Sequence, residues 1–208
     1  MTIHCATTNS GKLEEFRLAA ARFAAGFGDL EPLPGLRDLP PCEETGASFE
    51  ENAVQKALFY GAHVPGWLFA DDSGLEVDAL GGAPGIMSAR YAGPGAGDAD
   101  NNRLLLDRMR GVARRKARFV CVVALARNGE LAATFRGEVA GLLLEKACGD
   151  GGFGYDPLFY YPPLACTLAE LDAGRKLSVS HRGRALEQMF RFLADPSTPG
   201  NRSSSWRR

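Results

Sequence analysis

The sequence predicts an α/β fold on a mixed β-sheet, and three observations support this prediction. Apolar residues recur every three or four positions in several segments, which is the pattern of helices that bury one face. Short apolar runs typical of strands alternate with these segments along the 208 residues. Between two of the runs, Asn128-Gly129 is a dipeptide typical of tight β-hairpins, so part of the sheet is antiparallel.

The N-terminal part of the chain predicts a strand and two capped helices around an irregular stretch. Short polar side chains cap helices because they accept hydrogen bonds from the first free backbone N–H groups. A strand covers 2–7, and an irregular strand and loop region covers 28–47. The first helix begins at Asn9 or Ser10, and its apolar positions are Leu13, Phe16, Ala20, Phe23 and Phe27. The second helix begins at the capping box Ser48-Phe49-Glu50-Glu51 and ends near Ala62.

The remaining chain predicts further strands and three helices. The strands are 67–70, 75–80, 117–126, 131–144 and 158–161. The first of these helices covers 98–109, with Asp98 as its cap, and a brief helix follows the capping box Thr167-Leu168-Ala169-Glu170. The last helix follows Ser180, and its buried face consists of Leu186, Met189, Phe190 and Leu193. We expect residues 1–195 to form a single domain and the polar segment 196–208 to be a flexible tail.

Composition and charge exclude several classes of protein. A chain with 45% hydrophobic and 24% charged residues is globular rather than disordered, and no apolar run is long enough to span a membrane. With 24 Lys and Arg against 25 Asp and Glu, the net charge of −1 argues against sequence-independent nucleic-acid binding. The N-terminus lacks a secretory signal, and five widely spaced cysteines without C-x-x-C indicate reduced thiols. A cytoplasmic protein is therefore expected.

The segment Thr7-Thr8-Asn9-Ser10-Gly11-Lys12 lies where a strand turns into a helix. Free N–H groups and the positive end of the helix dipole attract anions at such a turn, and Lys12 adds a full charge. The segment is not a P-loop, because Cys5 occupies the place of the first glycine and Leu13 that of the magnesium-binding Ser or Thr. It is either a phosphate-binding turn or an ordinary capped helix with a solvated lysine.

Asp71-Asp72-Ser73-Gly74 follows an apolar strand, at the kind of strand end where ligand crevices of α/β sheets form. Neighbouring side chains of a strand point to opposite faces, so only one of Asp71 and Asp72 can aim into a given cleft. Carboxylates hold the divalent cation that phosphate hydrolysis commonly uses, and Glu43 or Glu44 could complete such a site. The alternative is a turn in which Asp71 caps backbone amides.

Gly149-Asp150-Gly151-Gly152-Phe153-Gly154 matches G-x-G-x-x-G, but Pro157 blocks the helix that a dinucleotide-binding motif requires. We interpret the stretch as a loop whose glycines allow a ligand to approach the backbone closely. Phe153 offers a ring face on which a base can stack. The alternative is that Phe153 folds back into the core.

Lys176, His181 and Arg182 provide two permanent cations and a titratable donor around a helix start. Arginine binds phosphate or a carbonyl edge in a fixed fork, whereas lysine acts as a point charge. Positive charge at a helix N-terminus opposes the helix dipole, so an anionic partner is favoured over an ordinary basic helix start. Ser73 and Ser180 lack a G-x-S-x-G context, so a serine hydrolase is not indicated.

Taken in order, these segments resemble the inosine/xanthosine triphosphate pyrophosphatase family, whose members remove deaminated purine nucleotides. The resemblance extends from residue 2 to about residue 193. The segments that carry it are the T-x-N-x-x-K start at 7–12, the stretches 49–57 and 70–85, Ser88-Ala89-Arg90-Tyr91, the loop 151–157, Ala169-Glu170-Leu171, and Lys176 with Ser180-His181-Arg182-Gly183.

The resemblance implies a two-lobed fold on a long mixed β-sheet with flanking helices, a nucleotide cleft between the lobes, and a homodimer that needs Mg²⁺. It implies hydrolysis of ITP, dITP and XTP to the monophosphate and pyrophosphate. By position, Asp72 is the proton acceptor and binds Mg²⁺ together with Glu43. The implied contacts of the triphosphate are Thr7, Thr8, Asn9, Ser10, Gly11, Lys12 and Lys176, and Ser73 is a further substrate contact. The residues implied to surround the base are Phe153, Gly154, Tyr155 and Asp156, with His181 and Arg182 at its 6-oxo edge.

The resulting hypothesis is that water attacks the α-phosphorus while Mg²⁺ offsets charge on the departing phosphates. Metal binding lowers the proton affinity of a carboxylate, so it stays open whether Asp72 takes the proton or positions a metal-bound hydroxide. Donors from His181 and Arg182 suit the 6-oxo group and meet another donor in ATP. The alternatives are a pyrophosphatase for another nucleotide, such as a modified pyrimidine, and a non-catalytic nucleotide-sensing or RNA-binding module.

Overall fold

A seven-stranded mixed sheet forms the centre of the computed structural model, which describes residues 2–24, 28–195 and 197–198. Its strands are β1 (Thr2–Cys5), β2 (Asp29–Pro32), β3 (Trp67–Val77), β4 (Lys116–Arg127), β5 (Glu130–Leu143), β6 (Phe159–Tyr161) and β7 (Cys166–Thr167). Their order across the sheet is β2-β1-β3-β4-β5-β6-β7. β1 is parallel to β2 and β3, and every other pair is antiparallel. The predicted mixed α/β architecture is confirmed.

Helices pack on both faces of the two central strands. The helices are α1 (Ser10–Phe23), α2 (Phe49–Gly61), α3 (Asp98–Arg108), α4 (Ala173–Val179) and α5 (His181–Ala194). In β4, Cys121 and Val123 pack with α1, α4 and α5, whereas Val120 and Val122 pack with α2 on the opposite face. The apolar stretch 119–126 of β4 is thus buried on both sides, as is usual where helices cover a sheet.

A third hydrophobic cluster lies at the far end of the long strands. Leu75 of β3, Phe119 of β4 and Val139 of β5 pack there with Leu105 of α3 and Phe159 of β6. This cluster supports the loop that precedes β6 and the short 3₁₀ turns around it. The two ends of the sheet are therefore stabilised by separate cores, and the central strands connect them.

The helix caps predicted at Asn9 and Ser48 and the hairpin are confirmed, and Ser180 is a further cap. Asn9, Ser48 and Ser180 are the N-caps of α1, α2 and α5, and each side chain accepts a backbone N–H from the first turn of its helix. Asn128 and Gly129 connect β4 to β5 with positive φ angles of 51° and 81°. These backbone angles suit the tight turn that the dipeptide predicts.

One strand boundary is corrected by the structure. The predicted strand end at residue 70 and the separate strand 75–80 are wrong, because β3 runs without a break from Trp67 to Val77 and pairs with β4 throughout. Gly74 does not make a turn. It allows a close approach, since a Cβ at Gly74 would lie 2.5 Å from the carbonyl oxygen of Gly85. Leu75 N instead donates to Ser88 Oγ at 2.9 Å.

Smaller differences concern the second half of the chain. The N-cap of α3 is Gly97, so Asp98 is not the cap, and its carboxylate accepts a hydrogen bond from Gly154 N at 2.6 Å. The brief helix predicted after the capping box is confirmed as the 3₁₀ helix Leu168–Glu170, and Glu170 Oε2 accepts from Thr167 N at 2.7 Å. Helix α4 and strand β7 were not predicted. The single domain over 1–195 stays a prediction. Phe27 lies outside the described residues, and of the predicted tail only residues 197–198 are described.

Two further observations concern membranes and disulfides. Across the described ranges, no helix combines the length and the apolar character that crossing a bilayer requires. All five cysteines are free, and two of them, Cys5 and Cys121, are buried. The expectation of reduced thiols agrees with this arrangement.

Candidate active site

Two adjoining cavities bring most of the predicted site residues together. The first, which we call the cleft, has a volume of about 190 Å³, and the second, which we call the basin, has about 550 Å³. Thr7 and Thr8 line only the basin. Ser10 is exposed at the start of α1, and Glu43 is exposed and lines neither cavity. The predicted residues that line the cleft are Asn9, Lys12, Asp72, Ser73, Phe153, Gly154, Tyr155, Asp156, Lys176, His181 and Arg182.

The turn before α1 is held by its own polar side chains. Asn9 Oδ1 accepts from Lys12 N at 2.9 Å, and Thr7 Oγ1 accepts from Asn9 N at 3.2 Å. The Lys12 ammonium lies 2.9 Å from Asp71 Oδ1. The alternative of a solvated lysine is therefore wrong, because Lys12 reaches back to the sheet.

Asp71 lies on the α1 and α5 face of β3, enclosed by cations. Besides Lys12, both Nε and Nη2 of Arg182 lie 3.4 Å from Asp71 Oδ2. Burial by itself would raise the pKa of Asp71, but the charges of Lys12, Arg182 and Lys56 outweigh it and hold the pKa well below its ordinary value. The alternative in which Asp71 caps a turn is wrong. Arg182 additionally donates to Ser73 Oγ at 2.7 Å.

Asp72 points to the opposite face of β3, as the alternation of a strand requires. There it accepts hydrogen bonds from Asn52 Nδ2 at 3.2 Å and from Lys56 Nζ at 3.0 Å. Burial raises the pKa of Asp72, and the nearby charge of Lys56 offsets this only in part. Asp72 is thus the better proton acceptor of the two neighbouring aspartates.

Asn52 and Lys56 are site residues that the sequence reasoning missed. They lie four residues apart on α2, a spacing that places side chains on one helical face. Both belong to the stretch 49–57 that carries the family resemblance, so the signal was present but no role was assigned to it. Burial opposes the charge of Lys56, yet Asp72, Asp71 and Glu44 raise its pKa above the ordinary value.

Glu44, rather than its neighbour Glu43, lines the site. Glu44 Oε1 lies 3.5 Å from Lys56 Nζ, the same ammonium that contacts Asp72, so one cation already lies between two carboxylates. Magnesium is commonly bound by one or two carboxylates together with substrate phosphates, and this pair fits that requirement. No group of three or more His, Cys, Asp or Glu side chains that could hold a metal is found among the described residues.

Lys176 and Arg182 share the carboxylate of Glu15, a residue of α1 that the sequence reasoning also missed. Glu15 Oε1 lies 2.6 Å from Lys176 Nζ, and Glu15 Oε2 lies 2.5 Å from Arg182 Nη1. Lys176 additionally pairs with Asp156. Burial opposes ionisation of Glu15, but Arg182 and Lys176 lower its pKa below the ordinary value. The anionic partners predicted for this basic helix start therefore include side chains of the chain itself.

Phe153 lies in the cleft and not in the core, so the alternative of a core aromatic is wrong. Its ring centroid is 4.6 Å from Lys176 Nζ and 5.4 Å from Arg182 Cζ, within the range of cation–π contacts. The ring also packs on Gly11, where a Cβ would lie 2.7 Å from Phe153 Cδ1. Gly11 is therefore required by the approach of this ring.

The loop that carries Phe153 is anchored at three points. Asp156 Oδ2 accepts from Phe153 N at 2.8 Å, and Asp98 and Asn102 of α3 bind the N–H and the carbonyl of Gly154. Burial raises the pKa of Asp156, with Lys176 opposing the rise. These contacts fix the Phe153 backbone and leave its ring face directed at the two cations.

His181 is buried and its ring stacks on Phe119, with centroids 4.7 Å apart and planes within 9°. Burial lowers the pKa of His181 well below 6.5, and the charges of Arg182 and Lys176 lower it further. The imidazole is therefore neutral at neutral pH. Within the described part of the chain its Nδ1 atom is buried without a hydrogen-bond partner, so it can serve a ligand.

Arg90, at the end of the 3₁₀ helix Gly85–Arg90, is a cation of the cleft to which the sequence reasoning gave no role. Its turn is fixed from two sides, because Ser88 Oγ accepts from β3 and Tyr155 Oη donates to the Ser88 carbonyl at 2.9 Å. No ion pair of Arg90 is described within residues 2–24, 28–195 and 197–198. Four other cleft cations, Lys12, Lys56, Lys176 and Arg182, each face a carboxylate.

The fold and the cleft together define a class: an α/β protein in which buried cations, paired carboxylates and an aromatic ring surround one cavity. The chain belongs to the Ham1 family, whose sequence profile matches residues 3–192. This confirms the family resemblance on which the residue assignments rest.

Individual relatives agree with the family assignment. A dITP/XTP pyrophosphatase of Acidobacterium capsulatum is 51% identical over 202 residues, which are 93% of this chain and 98% of that protein. A dITP/XTP pyrophosphatase of Listeria innocua is 44% identical over 91% of this chain and 93% of that protein. The Ham1 protein of Staphylococcus aureus and a HAM1 protein from Coxiella burnetii are each 37% identical, with TM-scores of 0.81 and 0.83 over 93% of this chain and 98% of theirs.

Proposed function

We propose that this protein hydrolyses deaminated purine nucleoside triphosphates, namely ITP, dITP and XTP, to the monophosphate and pyrophosphate. The observation that carries the proposal is the position of Asp72, a buried carboxylate of raised pKa that shares one cavity with Lys12, Lys176 and Phe153. Relatives that are 51% and 44% identical over nearly their full length bear the name dITP/XTP pyrophosphatase, which supports this choice of substrates.

The triphosphate is assigned to the cationic part of the site. The turn before α1 offers backbone N–H groups at a helix start, and Lys12, Lys56 and Lys176 add positive charge. Because these lysines are paired with carboxylates in the free protein, phosphate binding exchanges partners and does not introduce isolated charges. Arg90 contributes a further positive charge to the same cavity.

The purine base is assigned to the region of Phe153, His181 and Arg182. The Phe153 ring offers a stacking face, and such contacts contribute roughly 1–3 kcal/mol per base. A donor from Arg182 or from neutral His181 is satisfied by a 6-oxo group but faces the 6-amino donor of adenine. Leaving a buried polar group unpaired costs about 1–3 kcal/mol, which is roughly 10- to 100-fold in discrimination against ATP.

Asp72 is the proposed proton acceptor for the water that attacks the α-phosphorus. In the metal-free protein the pKa of Asp72 is raised and that of Asp71 is lowered, and the contacts of Asp72 with Lys56 and Asn52 hold its carboxylate in one orientation. Lys12, which lines both cavities, is the proposed contact for the departing pyrophosphate, and Lys176, which lies beside Phe153, is assigned to the part of the nucleotide nearer the base. General-base catalysis of this kind typically contributes about 10²- to 10⁴-fold to the rate.

Magnesium is the proposed metal, and Asp72 and Glu44 are the side chains assigned to hold it. Bound Mg²⁺ supplies charge neutralisation for the phosphates. Glu44 takes the place that the resemblance assigned to Glu43, because Glu44 lines the cleft and shares the Lys56 ammonium with Asp72. We also propose a cytoplasmic homodimer, as the family resemblance implies, and light scattering on the purified protein tests its mass.

The test is a substrate panel of ITP, dITP, XTP, GTP, ATP and dTTP with Mg²⁺, with separate detection of orthophosphate and pyrophosphate. We expect pyrophosphate and monophosphate in equal amounts, and kcat/KM for ITP at least about tenfold above that for ATP. Release of orthophosphate alone would contradict the proposed bond. Equal values for ITP and ATP would contradict the assignment of His181 and Arg182 to the base.

A further inference from the structure

The basin continues the cleft beyond the residues assigned to base and triphosphate. The two cavities share Asn9, Lys12, Glu44, Lys56 and Ala89. Further lining of the basin comes from the Thr7-Thr8 turn, from Leu36, Arg37 and Leu39 in the loop after β2, and from Tyr60 of α2. The shared residues therefore form a junction, with the base region on one side and the basin on the other.

The order of these regions assigns the basin to the leaving group. Phe153, His181 and Arg182 line only the cleft, whereas the junction contains Lys12 and Lys56. A nucleotide whose base lies beside Phe153 and whose phosphates contact the junction lysines has its terminal phosphate directed at the basin. This step rests on the proposed function, because it uses the assignment of base and phosphates given above.

The basin is larger than a pyrophosphate group requires. Its volume of about 550 Å³ exceeds that of the cleft, at about 190 Å³. Cavities of roughly 300–1,000 Å³ commonly hold a whole small-molecule ligand. The leaving-group side is therefore the spacious side of the site, and its walls set no tight limit on the length of the departing phosphate chain.

The lining of the basin offers further donors for phosphate. Arg37 is exposed at the basin, and no ion pair of it is described anywhere in the described ranges of the chain. Tyr60 Oη accepts from Cys42 N at 3.1 Å, which leaves its own hydroxyl proton for another acceptor. A guanidinium and a phenol beyond the two junction lysines are groups that phosphate oxygens bind, and a pyrophosphate held at the junction does not need them.

We propose that the basin accepts nucleoside 5′-polyphosphates whose leaving group is longer than pyrophosphate, with Arg37 as the contact for the phosphate beyond γ. The step is hydrolysis at the α-phosphorus. The water oxygen bonds to that phosphorus, the bond from it to the α–β bridging oxygen breaks, and the electron pair leaves with the polyphosphate. Inosine 5′-tetraphosphate thus yields IMP and inorganic triphosphate, with the water protons passing to Asp72 and the medium.

The experiment compares ITP and inosine 5′-tetraphosphate on the same enzyme with Mg²⁺, with products separated by anion-exchange chromatography. We expect kcat/KM for the tetraphosphate to lie within about tenfold of that for ITP, and triphosphate to be the inorganic product. A tetraphosphate rate more than about a hundredfold below that of ITP overturns the proposal while the proposed function stands. Failure to cleave ITP itself would instead overturn the proposed function.

The variant Arg37→Gln tests the assigned contact, with Arg108→Gln on the outer surface of α3 as a matched arginine outside both cavities. We expect Arg37→Gln to lower kcat/KM for the tetraphosphate about tenfold and that for ITP by no more than about threefold, mainly through KM. Arg108→Gln leaves both values unchanged. Equal losses on both substrates, or no loss on either, would overturn the role of Arg37.

Discussion

Asp71 and Asp72 are neighbours in the middle of β3 and are both buried, yet the two faces of the strand give them opposite chemistry. On one face, Lys12 and Arg182 surround Asp71 and hold its pKa well below the ordinary value. On the other face, burial raises the pKa of Asp72, and Lys56 compensates only in part. The cationic partners, and not burial alone, therefore separate a fixed counter-ion from a proton acceptor.

This difference assigns separate tasks to the two carboxylates. Asp71 stabilises the arrangement of Lys12 and Arg182, which lie 59 and 111 positions away in the chain. Asp72 shares Lys56 with Glu44, in a more open setting suited to metal and water. Loss of Asp71 is thus expected to affect the fold first, and loss of Asp72 the reaction first.

The largest effect is expected for Asp72→Asn. Removing the proton acceptor and one metal ligand lowers kcat on ITP about 10³-fold, or about 4 kcal/mol in activation free energy. The free energy of unfolding in urea changes by less than about 1 kcal/mol, because the amide keeps a hydrogen-bonding oxygen. The change Asp107→Asn at an exposed position of α3 is the control and leaves kcat unaltered. Full turnover by Asp72→Asn would remove its assigned role.

The second effect is expected for Asp71→Asn. Because Lys12 and Arg182 lose the charge that compensates them in a buried setting, the free energy of unfolding falls by about 3 kcal/mol. Urea denaturation followed by circular dichroism measures this change. If Asp71→Asn and Asp72→Asn were equally stable, the distinction between the two faces of β3 would be wrong.

The third effect separates the two neighbouring glutamates. Glu44→Gln raises the Mg²⁺ concentration for half-maximal activity about tenfold, because one of the two assigned carboxylates is lost. Glu43→Gln is the matched control and shifts this concentration by less than about twofold, since Glu43 is exposed and lines neither cavity. A larger effect of Glu43→Gln than of Glu44→Gln would instead assign the metal to Glu43, as the family resemblance implies.

The fourth effect concerns His181 and pH. The folded pKa of His181 lies well below its unfolded value near 6.5, so below that pH the unfolded chain binds a proton that the folded protein does not. Stability from this group is complete above pH 6.5 and falls by about 1.4 kcal/mol per unit as the pH decreases below it. His181→Phe keeps an aromatic stack on Phe119 and removes this dependence.

Urea titrations of wild type and His181→Phe at pH 7.0, 6.0 and 5.5 measure the difference in their free energies of unfolding. The contributions of the carboxylates, which both proteins share, cancel in this difference. The stability gap between the two proteins must shift in favour of His181→Phe as the pH falls. A gap that stays constant over this range would show that the folded protein and the unfolded chain bind this proton equally, so that folding does not lower the pKa of His181.

Features with short-range causes were predictable from the sequence. The caps at Asn9 and Ser48 and the hairpin at Asn128-Gly129 depend on contacts within a few residues and occur as predicted, whereas the cap predicted at Asp98 lies one residue earlier, at Gly97. The opposite orientation of Asp71 and Asp72 also follows from strand alternation alone. The family motifs reached further and located most residues of the cleft.

Features with long-range causes were missed or misplaced. Strand β3 passes through the predicted strand end because its pairing with β4, a partner about 50 positions away, continues past Gly74. The spacing of Asn52 and Lys56 predicts that they share one face of a helix. It does not predict that this face packs against Asp72. Glu43 and Glu44 are identical side chains in one loop, and local sequence does not distinguish which of them turns inward.

The sequence by itself thus determined the fold class, the local caps and turns and the family, because these depend on residue types at fixed, short spacings. Only the tertiary structure decided the electrostatics of the site. It placed Lys12, Arg182 and Glu15 against one face of β3, and Asn52, Lys56 and Glu44 against the other. A pKa depends on charges within a few ångströms, and those distances exist only after residues from remote parts of the chain have packed together.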